Sequence, residues 1–118
     1  LEAKIAMLTP NPYGFCEIDT SGLLELMQAG EVALIDVRSE NEVAYGMIAG
    51  ARHIPLHLLP IRANEMNRGV PHVFYCRSGA RSAQACAFMA SQGHGKSINL
   101  QGGIMAWVQS GQGLAQAA

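Results

Sequence analysis

The sequence predicts an α/β domain built on a small parallel sheet of about five strands, with helices on both faces. Three features carry that expectation. Short apolar runs alternate with stretches of helical spacing from about residue 16 to residue 110. The clearest of those runs are near-continuous in apolar residues, as in strands buried on both faces. With 118 residues, 49% of them apolar and 14% charged, the chain can also bury one sizeable core. One domain is therefore expected.

Residues 1–15 contain Pro10, Pro12 and Gly14 and read as an irregular lead-in, with room for a little helix at the start. Cys16-Glu17-Ile18-Asp19 reads as a short edge strand. Asp19 or Thr20 caps a helix through Gln28 that Gly30 stops. Val32-Ala33-Leu34-Ile35-Asp36-Val37 is a buried strand. Ser39 opens a second helix, with Glu42 completing a capping box. Residues 51–55 form a short strand ended by Pro55, and Pro60 must kink or divide the helical stretch 56–66.

The third clear strand covers residues 73–76. The helix after it, from Ser82 to Gln92, places Ala83, Cys86, Ala87 and Ala90 on one face for close packing, and Gly93 and Gly95 end it. Ser97-Ile98-Asn99-Leu100 is the last strand, and Gly102-Gly103 turns into a helix through Met105, Trp107 and Val108. The domain proper is thus 16–110, and 111–118 reads as a flexible tail.

A formal net charge of −1 gives no reason to expect nucleic acid or an anionic membrane as partner. No apolar run approaches membrane-spanning length. The first eight residues are too short and too weakly basic for a secretory signal. The start at Leu1 leaves a removed leader or a longer parent chain open. Cys16, Cys76 and Cys86 fit neither a disulfide framework nor a zinc pattern, so no metal is expected. Free thiols suit a reducing compartment, which makes a cytoplasmic location the expectation, or a periplasmic one if an upstream signal was removed. Cys16 and Cys86 read as small, partly buried hydrophobes. His53, His57, His72 and His94 read as ordinary loop and element-end histidines, because Pro55 spoils the i, i+4 pair of the first two.

One stretch concentrates chemistry. Val73-Phe74-Tyr75-Cys76-Arg77-Ser78-Gly79-Ala80-Arg81-Ser82 reads as a strand, a tight loop and a helix start, with a thiol at the strand's carboxyl end. Ligands of open α/β sheets bind at that end, where helix N-termini and loop N–H groups favour anions. The same field favours a thiolate, so Cys76 reads as a nucleophile in an anion-binding cradle. Arg77 could contact a bound anion, and Gly79 supplies a backbone geometry other residues avoid. Arg81 has two readings, anion contact or a pairing with a buried carboxylate. Ser82 also has two, a hydrogen bond to sulfur or a helix cap. Ser78 and Ala80 complete the ring, while Asp36 and Arg38 read as a supporting ion pair at a neighbouring strand end.

Four segments resemble one family, the rhodanese-like sulfurtransferase domain in its single-domain form. Leu34-Ile35-Asp36-Val37-Arg38 with Glu42 is similar to its L-I-D-V-R strand and following glutamate. Gly46-Met47-Ile48-Ala49-Gly50-Ala51 with Ile54-Pro55 resembles its G-H-I-P-G-A and I-P segments. Cys76-Arg77-Ser78-Gly79-Ala80-Arg81-Ser82 resembles its C-R-S-G-x-R-S active loop, and Gly102-Gly103 with Trp107 its G-G-x-x-x-W close. The segments keep the family's order. Val43, Met47 and Ala49 depart from it, all away from the thiol. The resemblance implies a rhodanese-like fold and transfer of a sulfane sulfur from thiosulfate or a persulfide donor through a Cys76 persulfide. The acceptor would be cyanide, or a small or protein thiol, and no separate cofactor would be needed. For the carboxylate reading of Arg81, the resemblance implies Asp36 as the nearest candidate.

Two other functions stand beside this one. A phosphatase or arsenate reductase also runs Cys to Arg around an anion, but its loop is one residue longer than the four between Cys76 and Arg81. It also needs an acid for its leaving group, and the loop contains none. The other alternative is a non-catalytic interaction module, against which the intact cysteine loop argues, or a sulfur carrier, which keeps the cysteine chemistry.

Overall fold

The structure, a computed structural model, describes residues 8–30, 32–94 and 96–116. Its centre is β4 (His72–Tyr75), whose four residues are all buried. Around it lies a five-stranded parallel sheet in the order β1-β5-β4-β2-β3, with β1 Cys16–Ile18, β2 Ala33–Asp36, β3 Arg52–His53 and β5 Ser97–Leu100. Parallel strands need crossovers, and helices supply most of them. The helices are α1 (Thr20–Ala29), α2 (Glu40–Val43), α3 (Leu59–Arg62), α4 (Ala80–Ser91) and α5 (Gly103–Gln109). The chain leaves β2 outward to β3 and leaves β4 the other way to β5. That divergence opens a crevice at the carboxyl edge beside β4.

Strand alternation divides the core. Val73 and Tyr75 point to one face with Leu23 and Leu26 of α1 and Ile104 and Trp107 of α5. Phe74 and Cys76 point to the other, with Leu59 of α3 and Ala85, Cys86 and Met89 of α4. Both faces are therefore covered, as the unbroken apolar runs anticipated.

The local signals map closely onto the elements. Asp19 caps α1 by accepting from the Gly22 N–H, and Ser39 with Glu42 forms the capping box of α2. Pro60 divides its segment: a 3₁₀ turn at Leu56–Leu58, the single turn α3, then a second 3₁₀ turn at Ala63–Glu65. It sits in the first turn of α3, where its missing N–H leaves no bond unmade.

Two expectations need correcting. Helix α4 starts at Ala80, two residues ahead of Ser82, and its buried face is Ser82, Ala85, Cys86 and Met89; Ala83, Ala87 and Ala90 are half-buried. Gly79 in the left-handed conformation opens the helix, so Ser82 lies inside its first turn and turns toward the sheet. The tail is also tied down: Met47 and Ala115 exchange both backbone hydrogen bonds at 2.7 Å. The little helix considered at the start and the Gly95 stop signal lie outside the described residues.

His72, 6% exposed, shows how this packing couples to pH. Burial holds its imidazolium form below the ordinary value of 6.5, with His94 nearby adding to the effect and the Val70 carbonyl opposing it. The unfolded chain therefore takes up the proton first as pH falls. Stability on this account is full above about pH 6.5 and declines as pH drops from there through the lower folded value. Thermal melts between pH 7.5 and 5 should show a shallower decline for His72→Phe than for the parent. Equal slopes would remove His72 from the account.

Candidate active site

Cys76 follows directly on β4 and is 1% exposed, so it belongs to the packed core as well as to the strand end. Its Sγ is the floor of the loop. The Gly79 N–H donates to it at 3.1 Å and the Ser82 hydroxyl lies 3.5 Å away. Burial by itself pushes this thiol up. Hydrogen bonds from the Ser82 hydroxyl and from the N–H groups of Ser82, Gly79 and Ser78 outweigh it, so the net shift is downward.

The other two thiols go the opposite way. Cys16 and Cys86 are 2% and 0% exposed, and desolvation raises both. Burial without donors makes an inert thiol, and burial with donors makes a reactive one.

The loop is held from behind by α5. The Cys76 carbonyl accepts from the Ile104 N–H at 2.9 Å and the Arg77 carbonyl from the Met105 N–H at 3.1 Å. Gly103 permits this approach: its φ is +58°, and a Cβ there would lie 2.5 Å from the Cys76 carbonyl oxygen and also collide with that of Arg77. Gly79, at φ +114°, turns the chain so that its N–H faces Sγ.

The two arginines of the loop differ. Arg77 is exposed and has no side-chain partner among the described residues. Arg81 turns out of the ring into a two-pronged pair with Glu42, at 2.6 and 2.8 Å. Of its two readings the carboxylate pairing is the one present, and the partner is Glu42 in place of Asp36. Asp36 is already bound to Arg38 at 2.8 Å, and Arg38 also donates to the Gly46 carbonyl at 2.7 Å. The Arg81 guanidinium, helped by the Ser39 cap, holds the Glu42 carboxyl down at about 2.

Ser78 is exposed and Ala80 opens α4, also exposed. Ser82 is fully buried, and its hydroxyl lies 2.6 Å from Asn99 Oδ1 as well as facing Sγ. Asn99 in turn donates to the Glu17 carboxylate at 3.0 Å and to the Gly79 carbonyl at 3.3 Å.

Glu17 and Asn99 are absent from the sequence-derived site. The available signal was a polar residue in the otherwise apolar end of β5, which the parallel register sets opposite Phe74, two residues before Cys76. His53 lies apart, bonded to the Arg38 carbonyl. Among the described residues no cluster of His, Cys, Asp or Glu could hold a metal ion.

Iodoacetamide should label Cys76 ahead of Cys16 and Cys86 in the folded protein. Asn99→Ala should slow that reaction near neutral pH by about threefold to tenfold, because the Gly79 carbonyl loses its anchor on Asn99 and the Gly79 N–H its aim at Sγ, which lowers the thiolate fraction. Labelling spread over all three thiols, or an Asn99→Ala rate equal to the parent's, would contradict this. Gly103→Ala should destabilise the domain by about 2 kcal/mol or more in chemical denaturation. A neutral result would show that the loop does not depend on α5's close approach.

The Rhodanese-like domain family matches residues 19–110 of the chain. A sulfurtransferase of Allochromatium vinosum is 48% identical over 96 residues, covering 80% of this chain and 90% of that protein. The thiosulfate sulfurtransferase GlpE of Ectopseudomonas mendocina is 31% identical, over 79% of this chain and 84% of that protein. Among solved structures, a rhodanese-like domain protein from Staphylococcus aureus superposes with a TM-score of 0.77 at 31% identity, covering 86% of this chain and 98% of the other. The five-stranded parallel sheet, the cysteine loop at its carboxyl edge and these likenesses agree: the chain belongs to the rhodanese-like domain family.

Proposed function

We propose that this protein is a sulfurtransferase that moves a sulfane sulfur from thiosulfate or a related persulfide donor to a thiophilic acceptor, cyanide or a thiol. The Cys76 thiolate attacks the outer sulfur of the donor, the donor's S–S bond breaks, and sulfite leaves with the bonding pair. Cys76 is left as a persulfide anion, so charge is conserved and no general acid is required. The acceptor then attacks the outer sulfur, and the electron pair of the S–S bond returns to Cys76 Sγ. The cysteine carries the sulfur itself, so no further cofactor enters.

The observation that carries this reading is the ring of donors around Cys76 Sγ, from which Arg81 is turned away by Glu42. Backbone N–H groups can hold the added sulfur anion after transfer. The sulfurtransferase relatives support the same class of reaction.

A phosphatase would need an acid for its alkoxide. Glu42 is the carboxylate that pairs with the loop's Arg81, and with its pKa at about 2 and both oxygens on Arg81 it cannot serve at neutral pH. The intact donor ring also argues against a purely structural interaction module.

Intact mass after incubation with thiosulfate should show one added sulfur atom, absent in Cys76→Ser. An unmodified mass together with hydrolysis of an aryl phosphate would reverse the assignment. Arg77→Ala should raise the KM for thiosulfate about tenfold with a smaller effect on kcat, the loss expected for one charge-assisted contact in donor binding. An unchanged KM would assign donor binding to the backbone ring alone.

A further inference from the structure

Beside the cysteine loop lies an open cleft of about 420 Å³, within the range of small-molecule sites. Arg77, Tyr45, Met105, Val108 and Leu114 are among the residues that line it. Seven large apolar side chains are exposed among the described residues, and four of them are Tyr45, Met105, Val108 and Leu114. Tyr45 is 88% exposed. Apolar surface gathered in this way beside an exposed arginine of the cysteine loop marks recognition more than chance scatter does.

Leu114 is placed there by a strap that lies beyond the matched family region, which ends at residue 110. Three contacts fix the strap. Ala115 pairs with Met47 through two backbone bonds, and the Trp107 indole N–H donates to the Gly113 carbonyl at 3.0 Å. Gly46 leaves room for the leucine: a Cβ at that position would stand 3.1 Å from both Leu114 Cβ and Cδ1.

The charges around the cleft are mostly spent. Arg38 is bound to Asp36, and Arg81 and Glu42 neutralise each other. Arg77 is the cation of the cleft without a side-chain partner among the described residues.

We infer that this strap-walled cleft selects the sulfur acceptor, and that the acceptor is a small organic thiol carrying a carboxylate beside an apolar body. Arg77 takes the carboxylate, while Tyr45, Val108 and Leu114 take the apolar body. Cyanide and thiosulfate have no apolar body and leave this wall unused. The inference rests on the sulfurtransferase reading. In the step, the acceptor thiolate attacks the outer sulfur of the Cys76 persulfide, the S–S bond breaks, and its electron pair stays on Cys76 as thiolate. The acceptor departs as its own persulfide, with no outside oxidant or reductant.

The test compares mercaptoacetate with its benzyl-substituted analogue, which shares the thiol and the carboxylate, as acceptors for protein loaded from thiosulfate. The benzyl compound should show a kcat/KM about tenfold or more higher, as apolar-pocket discrimination allows. Leu114→Ser and Tyr45→Ser, both surface changes, should each shrink that ratio several-fold. The benzyl compound's amide should be poorer than its acid with the parent and equal to it with Arg77→Met. Equal kcat/KM for the two acids, a ratio retained in both wall variants, or no difference between acid and amide would overturn the inference. Intact mass separates the two levels of the argument: failure of Cys76 to gain sulfur overturns the parent reading, whereas loaded protein with a flat ratio overturns the cleft assignment alone.

Discussion

Everything about this site depends on a contest at one atom. Cys76 Sγ is placed in a packed core, where desolvation favours the neutral thiol, and is given donors that favour the anion. The donors win because they are preorganised. Gly79 turns the chain so that its N–H faces the sulfur, and the long helix α4 starts immediately after it. A buried anion surrounded by fixed dipoles is stabilised without reorganising solvent, which is the electrostatic condition a sulfur-bearing intermediate needs.

The rest of the fold keeps that loop in shape. Behind it, α5 binds two loop carbonyls and depends on a glycine at 103 to come close enough. On one flank the Glu42–Arg81 pair draws the guanidinium away from the sulfur. On the other, Asn99 joins the Ser82 hydroxyl to the Glu17 carboxylate of the edge strand. Beneath these, Arg38 ties Asp36 to the Gly46 turn and stacks near the Tyr75 ring, while the Tyr75 hydroxyl accepts from the Ile48 N–H. A small domain thus supports one loop with a framework of ion pairs and hydrogen bonds.

Local physics made much of this legible in advance. Unbroken apolar runs gave buried parallel strands, Ser39 with Glu42 gave a capping box, and a thiol at the carboxyl end of the central strand pointed to the candidate site. Apart from the helix start at Ala80, which the Gly79 turn sets locally, the misses are non-local. Glu42 and Arg81 are 39 residues apart, and nothing in their spacing says that Asp36 is already taken by Arg38. Asn99 and Glu17 join the site only because β5 lies between β1 and β4, a strand order that periodicity does not encode. The tail looked free because its glycines and alanines carry no helical or strand pattern. Its anchor is a pair of backbone bonds to Met47, which no side-chain pattern announces.

The central claim is that the donor ring outweighs burial at Cys76. The most direct measurement is a pH titration of the thiolate ultraviolet absorbance in a Cys16→Ala, Cys86→Ala background, where Cys76 is the remaining thiol. The account predicts a midpoint below the ordinary thiol value of about 8.5. A midpoint at or above that value in the folded protein would contradict it.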